Sequence, residues 1–509
     1  MNDTDSAKRG SDSAEPRSPG PFQSKRGPDS IEPRSSGPAG GELRRALTNR
    51  HIQMIALGGA IGTGLFYGSA SGIKLAGPSI LVAYALCGAL IFFVVRAMGE
   101  MSVHRPSSGS FSRYANDYWS PRAGFVAGWN YWFNYVAVAM AELTVVGTYI
   151  QYWFPSVPAW ASAAVVLLII TAINLVGVRA FGEFEFWFAI IKVIAVVGMI
   201  VLGVYVIVAG VDSNPHLPAP SFSHLVDHGG FFPGGLDGFL LSFVFVMFSF
   251  GGIELIGITA GEADDPKRSI PKAINQVVYR ILIFYIGALF VIMAVVPWDA
   301  INGKLSPFVQ IFDSVGIQAA AHILNFVVLT AALSVYNSGL YSNGRMLYSL
   351  ARQGNAPKAF TRLSRRGIPF VGVLFSSAVT AAAVAIIYFL PETAFTIVIS
   401  TTLASGIISW VIILITQRKF RKVIGPHNEA ELSFKLPGGK TTNSIVLVWL
   451  AGLLTLMAFS PDYRTAVIIL PIWLAILFIA YAAQQRRRDP VGPVPSAKSV
   501  GPTPFHGAR

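Results

Sequence analysis

The 509-residue chain has a single cysteine, Cys87. One thiol excludes an intrachain disulfide and a thiolate metal cluster. Charge is also scarce. Asp, Glu, Lys and Arg together make 13% of the residues, about half the share of a soluble domain. No glycine-rich phosphate loop of the Walker type is present, so ATP is not read as the energy source. A His-Glu-x-x-His run and a cysteine–histidine cluster are missing too, which leaves no metal-site signature. Of the eight histidines, His104, His216, His224, His228 and His427 fall in expected loops. An enzyme is therefore poorly supported, and no cofactor is expected.

What the chain does have is apolar residues, 53% of the total. They gather in runs of the roughly 20 residues needed to cross a bilayer. Hydropathy predicts about twelve spans, roughly at 52–71, 79–99, 123–152, 160–178, 184–210, 236–260, 276–297, 318–350, 371–390, 393–416, 443–460 and 464–483. The formal charge of +13 could suggest nucleic acid, but its distribution argues against that partner. The basic residues sit in alternate loops: Arg44, Arg45 and Arg50; Arg105, Arg113 and Arg122; Lys267, Arg268 and Lys272; Arg352 to Arg366; Arg418 to Lys422; and Arg486 to Arg488. The opposite loops, such as 154–158 and 211–235, are nearly free of Lys and Arg. This is the positive-inside pattern, and it predicts a multi-pass protein of the cytoplasmic membrane with both termini in the cytoplasm.

Residues 1–43 are rich in Ser, Pro, Gly and charge and are expected to be disordered. They contain a degenerate repeat, Arg9 to Ser18 recurring as Arg26 to Ser35, with no chemistry of its own. They lack the apolar core of a cleavable signal. Residues 44–484 form the expected transmembrane domain, and 485–509 a second disordered tail.

Two spans carry interruptions. The first holds four glycines in seven residues, Gly58, Gly59, Gly62 and Gly64. The sixth holds Ser249, Phe250, Gly251, Gly252 and then Gly257. Glycine is a poor helix former, and irregular backbone at membrane depth is tolerated only where it is buried or lines a polar cavity. The alternative for either stretch alone is a small-residue packing face. Five spans separate the two stretches, so they cross in opposite directions. Interrupted spans at matching places in antiparallel halves point to an inverted repeat with a binding site between the halves. Free N–H groups at Ile61, Gly62, Thr63 and Gly64 would take a carboxylate, and carbonyls at Ser249, Phe250, Gly251 and Gly252 an ammonium.

These residues resemble a known family. Gly59 to Phe66, Ala76 to Ser79, Met98 to Met101, Ser110-Phe111, Gly182 to Trp187 and Gly251 to Gly257 are similar to bacterial amino acid permeases of the amino acid–polyamine–organocation superfamily. Met140 to Thr144, Glu262 to Pro266, Tyr279 to Tyr285 and Val335 to Ser338 resemble L-asparagine permeases in particular. The resemblance implies an all-α membrane fold of five plus five inverted spans, with broken helices 1 and 6 and two further C-terminal helices. It implies import of an amino acid, asparagine first and aspartate or another small amino acid as the alternative, by proton symport. An uncoupled uniporter or channel on the same fold is the rival reading.

Three ionisable residues lie inside apolar spans: Glu142, Lys192 and Glu254. Charge at membrane depth is costly and by default marks a pathway or a proton relay. Glu142, with Asn337, is expected to face the substrate side chain. The resemblance implies that Lys192 carries the coupling proton, its ammonium standing where sodium-driven members hold a cation. Glu254 is the next candidate. For each, a structural reading stays open: snorkelling for Lys192, bracing of the break for Glu254, pairing within the bundle for Glu142.

Overall fold

The computed structural model describes residue 54 and residues 61–488, except 108, 211–217, 260–264, 302, 304–305, 315, 391–393 and 462. The expected tails, 1–43 and all of 485–509 beyond residue 488, lie outside the described residues, as does the first half of the first span.

The described residues form helices joined by short loops, with no strand among them. Ten helical runs are long and apolar enough to cross a membrane. The expected twelve spans map onto them once two features are recognised. The run Gly64–His104 holds the end of the first span and all of the second, joined by a tight turn at Gly77–Ser79. Gly77 sits there with a φ of +57°, and a Cβ on it would stand 2.3 Å from Pro233 Cγ, so only glycine fits. The sixth span is too short in each piece to qualify, because it is split into Gly235–Phe248 and Leu255–Thr259.

The helices begin and end for local reasons. The third, Pro121–Gln151, starts with proline at its first position and with Ser120 accepting a hydrogen bond from the Ala123 N–H, which satisfies an otherwise orphaned donor. The tenth, Ala394–Glu431, runs some way past the expected end and bends at Gly425 (φ +77°) before Pro426. A short amphipathic helix, Ser110–Tyr118, lies between the second and third spans and buries Phe111, Tyr114 and Ala115. Hydropathy did not anticipate it because its mean polarity is that of a loop.

Position in the bundle follows burial. The most apolar stretch of the third span is 72% buried, that of the last only 17%. The third span is therefore central and the twelfth faces lipid. The third is tied to the tenth by Asn130, which donates to the Ser405 carbonyl (2.8 Å), and by Asn134, which donates to the Thr402 carbonyl (2.6 Å). Such bonds satisfy polar groups that hydrocarbon would leave unpaired.

The first and sixth spans pack closely and antiparallel. Gly64 lies against Ser249, Gly72 against Phe245, and Leu75 against Gly238. As numbers rise on one span they fall on the other, which is the relation expected of two inverted halves.

Candidate functional site

At Gly62 the chain leaves irregular backbone. The Gly62 carbonyl accepts from both Leu65 and Phe66 N–H at 3.1 Å, and residues Gly64–Gly68 form a π-helical turn. Such wide turns accompany functional sites. On the sixth span the helix stops at Phe248. The chain then passes through tight turns, Phe250 N–H to Met247 O and Gly251 N–H to Phe248 O, with Gly252 at a φ of +91°.

Between these breaks lies a small cavity of about 40 Å³. Gly62 and Gly64 line one side, and Ser249, Gly251, Gly252 and Glu254 the other. The third span contributes Tyr135, Val138 and Glu142, and the tenth contributes Leu403, Gly406 and Trp410. Each trio follows the three-then-four spacing that puts residues on one helix face. Met247, Phe248 and Val335 complete an apolar wall.

The expected site residues divide into two groups. Gly62, Gly64, Glu142, Ser249, Gly251, Gly252 and Glu254 line the cavity. Ile61, Thr63, Phe250, Asn337 and Lys192 do not, and each has another engagement. Phe250 packs its ring on Tyr84 and Tyr285. Asn337 turns toward the fourth span, where its Oδ1 accepts from Asn174 Nδ2 at 2.8 Å. It is not among the residues that line this cavity. Thr63 Oγ1 donates to Glu142 Oε2, which ties the third span to the first beside its break. Ser249 is similarly held: its hydroxyl pairs with Tyr84 (3.0 Å) and its carbonyl accepts from Tyr285 (3.1 Å).

Lys192 is fully buried. Its ammonium donates to the Ile61 carbonyl at 3.2 Å and to Ser334 Oγ at 2.9 Å, linking the fifth span to the first and the eighth. Ser334 in turn donates to Glu185 Oε1 at 2.5 Å. Glu185 was passed over in the sequence because it lies at the edge of its span. A signal was there: it precedes Lys192 by seven residues, which puts both on one helix face. Arg280, buried in the seventh span, was also missed, since it lies where the basic loop meets the apolar run.

A bilayer protein with a cavity at two broken helices suits a small zwitterion. The family model for amino acid permeases matches residues 51–491. The chain belongs to the amino acid permease family. Among similar proteins, the uncharacterized amino acid permease YtnA of Bacillus subtilis (strain 168) is 51% identical over 440 residues, covering 86% of this chain and 95% of that one. The aromatic amino acid transport protein AroP of Escherichia coli (strain K12) is 50% identical over 449 residues, covering 88% and 97%. AroP of Salmonella typhi is 48% identical over 447 residues, with the same coverage. This permease is thus a membrane transporter of amino acids and not an enzyme. None of these three relatives is described as an asparagine permease.

Proposed function

We propose that this permease imports an amino acid with a large apolar or aromatic side chain, by proton symport across the cytoplasmic membrane. One observation carries the substrate class: beyond the two breaks, Val138, Met247, Phe248, Val335, Leu403 and Trp410 give the cavity an apolar surface, beside the polar Asn134, Tyr135, Glu142, Glu254 and Thr402. Such a surface gains when a substrate side chain removes it from water. The AroP relatives, described as aromatic amino acid transporters, support the same reading. The asparagine expectation rested on Glu142, which lines the cavity and accepts from Thr63 through Oε2, and on Asn337, whose Oδ1 accepts from Asn174. Asparagine stands as a second reading, since Asn134, Tyr135, Glu142, Glu254 and Thr402 are polar and line the same cavity.

The substrate carboxylate is assigned to the backbone at Gly62 and Gly64, at the start of the second part of the first span, where a helix N-terminus favours negative charge. The ammonium is assigned to the carbonyls near Ser249 to Gly252. Proton coupling is assigned to Lys192, whose bond to the Ile61 carbonyl braces the first break. A charged lysine holds that carbonyl, and a neutral one releases it, so protonation biases one conformation over the other.

The test is uptake by vesicles carrying the purified protein. Labelled phenylalanine should be displaced by unlabelled phenylalanine, tyrosine or tryptophan, and poorly by asparagine or aspartate at equal concentration. Stronger displacement by asparagine would overturn the aromatic reading. Accumulation above the outside concentration, abolished by a protonophore, separates symport from a uniporter or channel.

A further inference from the structure

We infer that Glu185 is the proton acceptor on the cytoplasmic side of Lys192, reached through the hydroxyl of Ser334. This deepens the proton-symport reading and rests on it. The geometry is a directed chain of hydrogen bonds. Lys192 Nζ donates to Ser334 Oγ at 2.9 Å, and Ser334 Oγ donates to Glu185 Oε1 at 2.5 Å. All three residues are 0% exposed. Ser338 and Asn337 of the eighth span also stand close to the Glu185 carboxyl group. A carboxylate buried in a bundle is costly as a mere strut.

The step balances without another reactant. The Lys192 ammonium passes a proton to Ser334 Oγ, while the Ser334 hydroxyl proton passes to Glu185. Lysine becomes neutral, glutamate becomes a carboxylic acid, and serine is unchanged. The other charged groups within reach of Lys192 are Glu142 of the third span and Arg280 of the seventh. Glu142 is engaged by Thr63 on the cavity side, and Arg280 is a cation that cannot accept a proton, so Glu185 is the acceptor away from the cavity.

Direction follows from helix position. Glu185 stands seven residues before Lys192, ~10 Å nearer the end that loop charge assigns to the cytoplasm. One further turn toward that end, Phe181 stacks on Tyr341 with ring centroids 3.7 Å apart, and the Arg345 guanidinium lies 3.3 Å from the Tyr341 ring. This stack closes the route below Glu185. A proton held on Glu185 would leave only when the stack parts, which ties proton release to opening of the cytoplasmic side.

The experiment uses the full chain in vesicles with labelled L-phenylalanine. Two readouts are taken: accumulation driven by an acid-outside pH gradient, and counterflow exchange with no gradient. Glu185→Gln keeps an acceptor oxygen for Ser334 but cannot take a proton. It should lose accumulation and keep exchange, as should Ser334→Ala, whereas Ser334→Thr restores the hydroxyl and should accumulate. A purely structural Glu185 predicts that Glu185→Gln accumulates like wild type, and that result overturns the relay. Loss of exchange together with accumulation in Glu185→Gln overturns it as well, because it would place the residue in folding or binding. If wild-type protein itself only equilibrates phenylalanine, the proton-symport reading falls first, and the relay with it.

Discussion

Gly64 shows how little room the site leaves for a side chain. A Cβ there would stand 2.6 Å from Ser249 Cα and 3.1 Å from its backbone nitrogen. Backbone on the opposing break cannot rotate away as a flexible side chain can. Overpacking of this kind costs typically about 1–3 kcal/mol. Gly64→Ala should therefore insert and fold but bind phenylalanine about tenfold or more weakly, measured by equilibrium binding to purified protein. Normal binding by that variant would place the site elsewhere. Lys192 makes a sharper case. Lys192→Arg keeps a cation beside the Ile61 carbonyl, but a guanidinium stays protonated. It should fail to drive accumulation in a pH-gradient uptake assay, as should Lys192→Ala. Accumulation by either would move the proton to another group, Glu254 first.

Between elements, a dense polar junction is built from residues that do not line the cavity. Glu100, at the end of the second span, accepts from Arg421 through both carboxylate oxygens (2.7 and 2.6 Å), from Gln417 (3.0 Å) and from the Leu436 N–H (2.6 Å). It is 0% exposed, and Arg421 8%. The junction pins the tenth span and the segment leading to the eleventh against the second. Removing one partner of a buried pair leaves the other charge uncompensated, at about 3–5 kcal/mol. Arg421→Ala should thus lower the midpoint of thermal unfolding in detergent markedly. The double variant Glu100→Gln with Arg421→Gln should recover part of that loss. Equal destabilisation by the single and the double variants would show that the pair is not coupled. The second, tenth and eleventh spans were each legible from apolar run length. Their mutual anchoring was not, because Glu100 and Arg421 stand 321 residues apart.

At the scale of the molecule, loop charge gives a testable orientation. Cys87 is fully buried, so the chain carries little reactive thiol of its own. Asp227→Cys, on an exposed position of the Lys- and Arg-poor side, should react with a membrane-impermeant maleimide in intact cells. Arg268→Cys, exposed on the basic side, should react only after permeabilisation. The reverse pattern would invert the topology and with it the proposed direction of proton release.

Run length, glycine content and loop charge are local properties, and they were enough to read the helical membrane class, the twelve spans and the two interruptions; the family came from the resemblance of particular motifs such as Gly59 to Phe66. They also marked Glu142, Lys192 and Glu254 as buried charge, since any ionisable residue deep inside an apolar run must be accommodated by the protein. Which groups meet was decided by packing alone. Asn337 looked like a substrate contact by its place on the eighth span, but the rotation of that helix turns it to Asn174. Glu142 could face the substrate or pair within the bundle; it lines the cavity and also accepts from Thr63, 79 residues earlier. Glu185 joins Lys192 through Ser334, which lies 142 residues beyond Lys192 on another span. Hydropathy states that a helix is in the membrane but not which face it turns to its neighbours. That face is set by the fit of all the helices at once, and it determines the wall of the cavity and the path assigned to the proton.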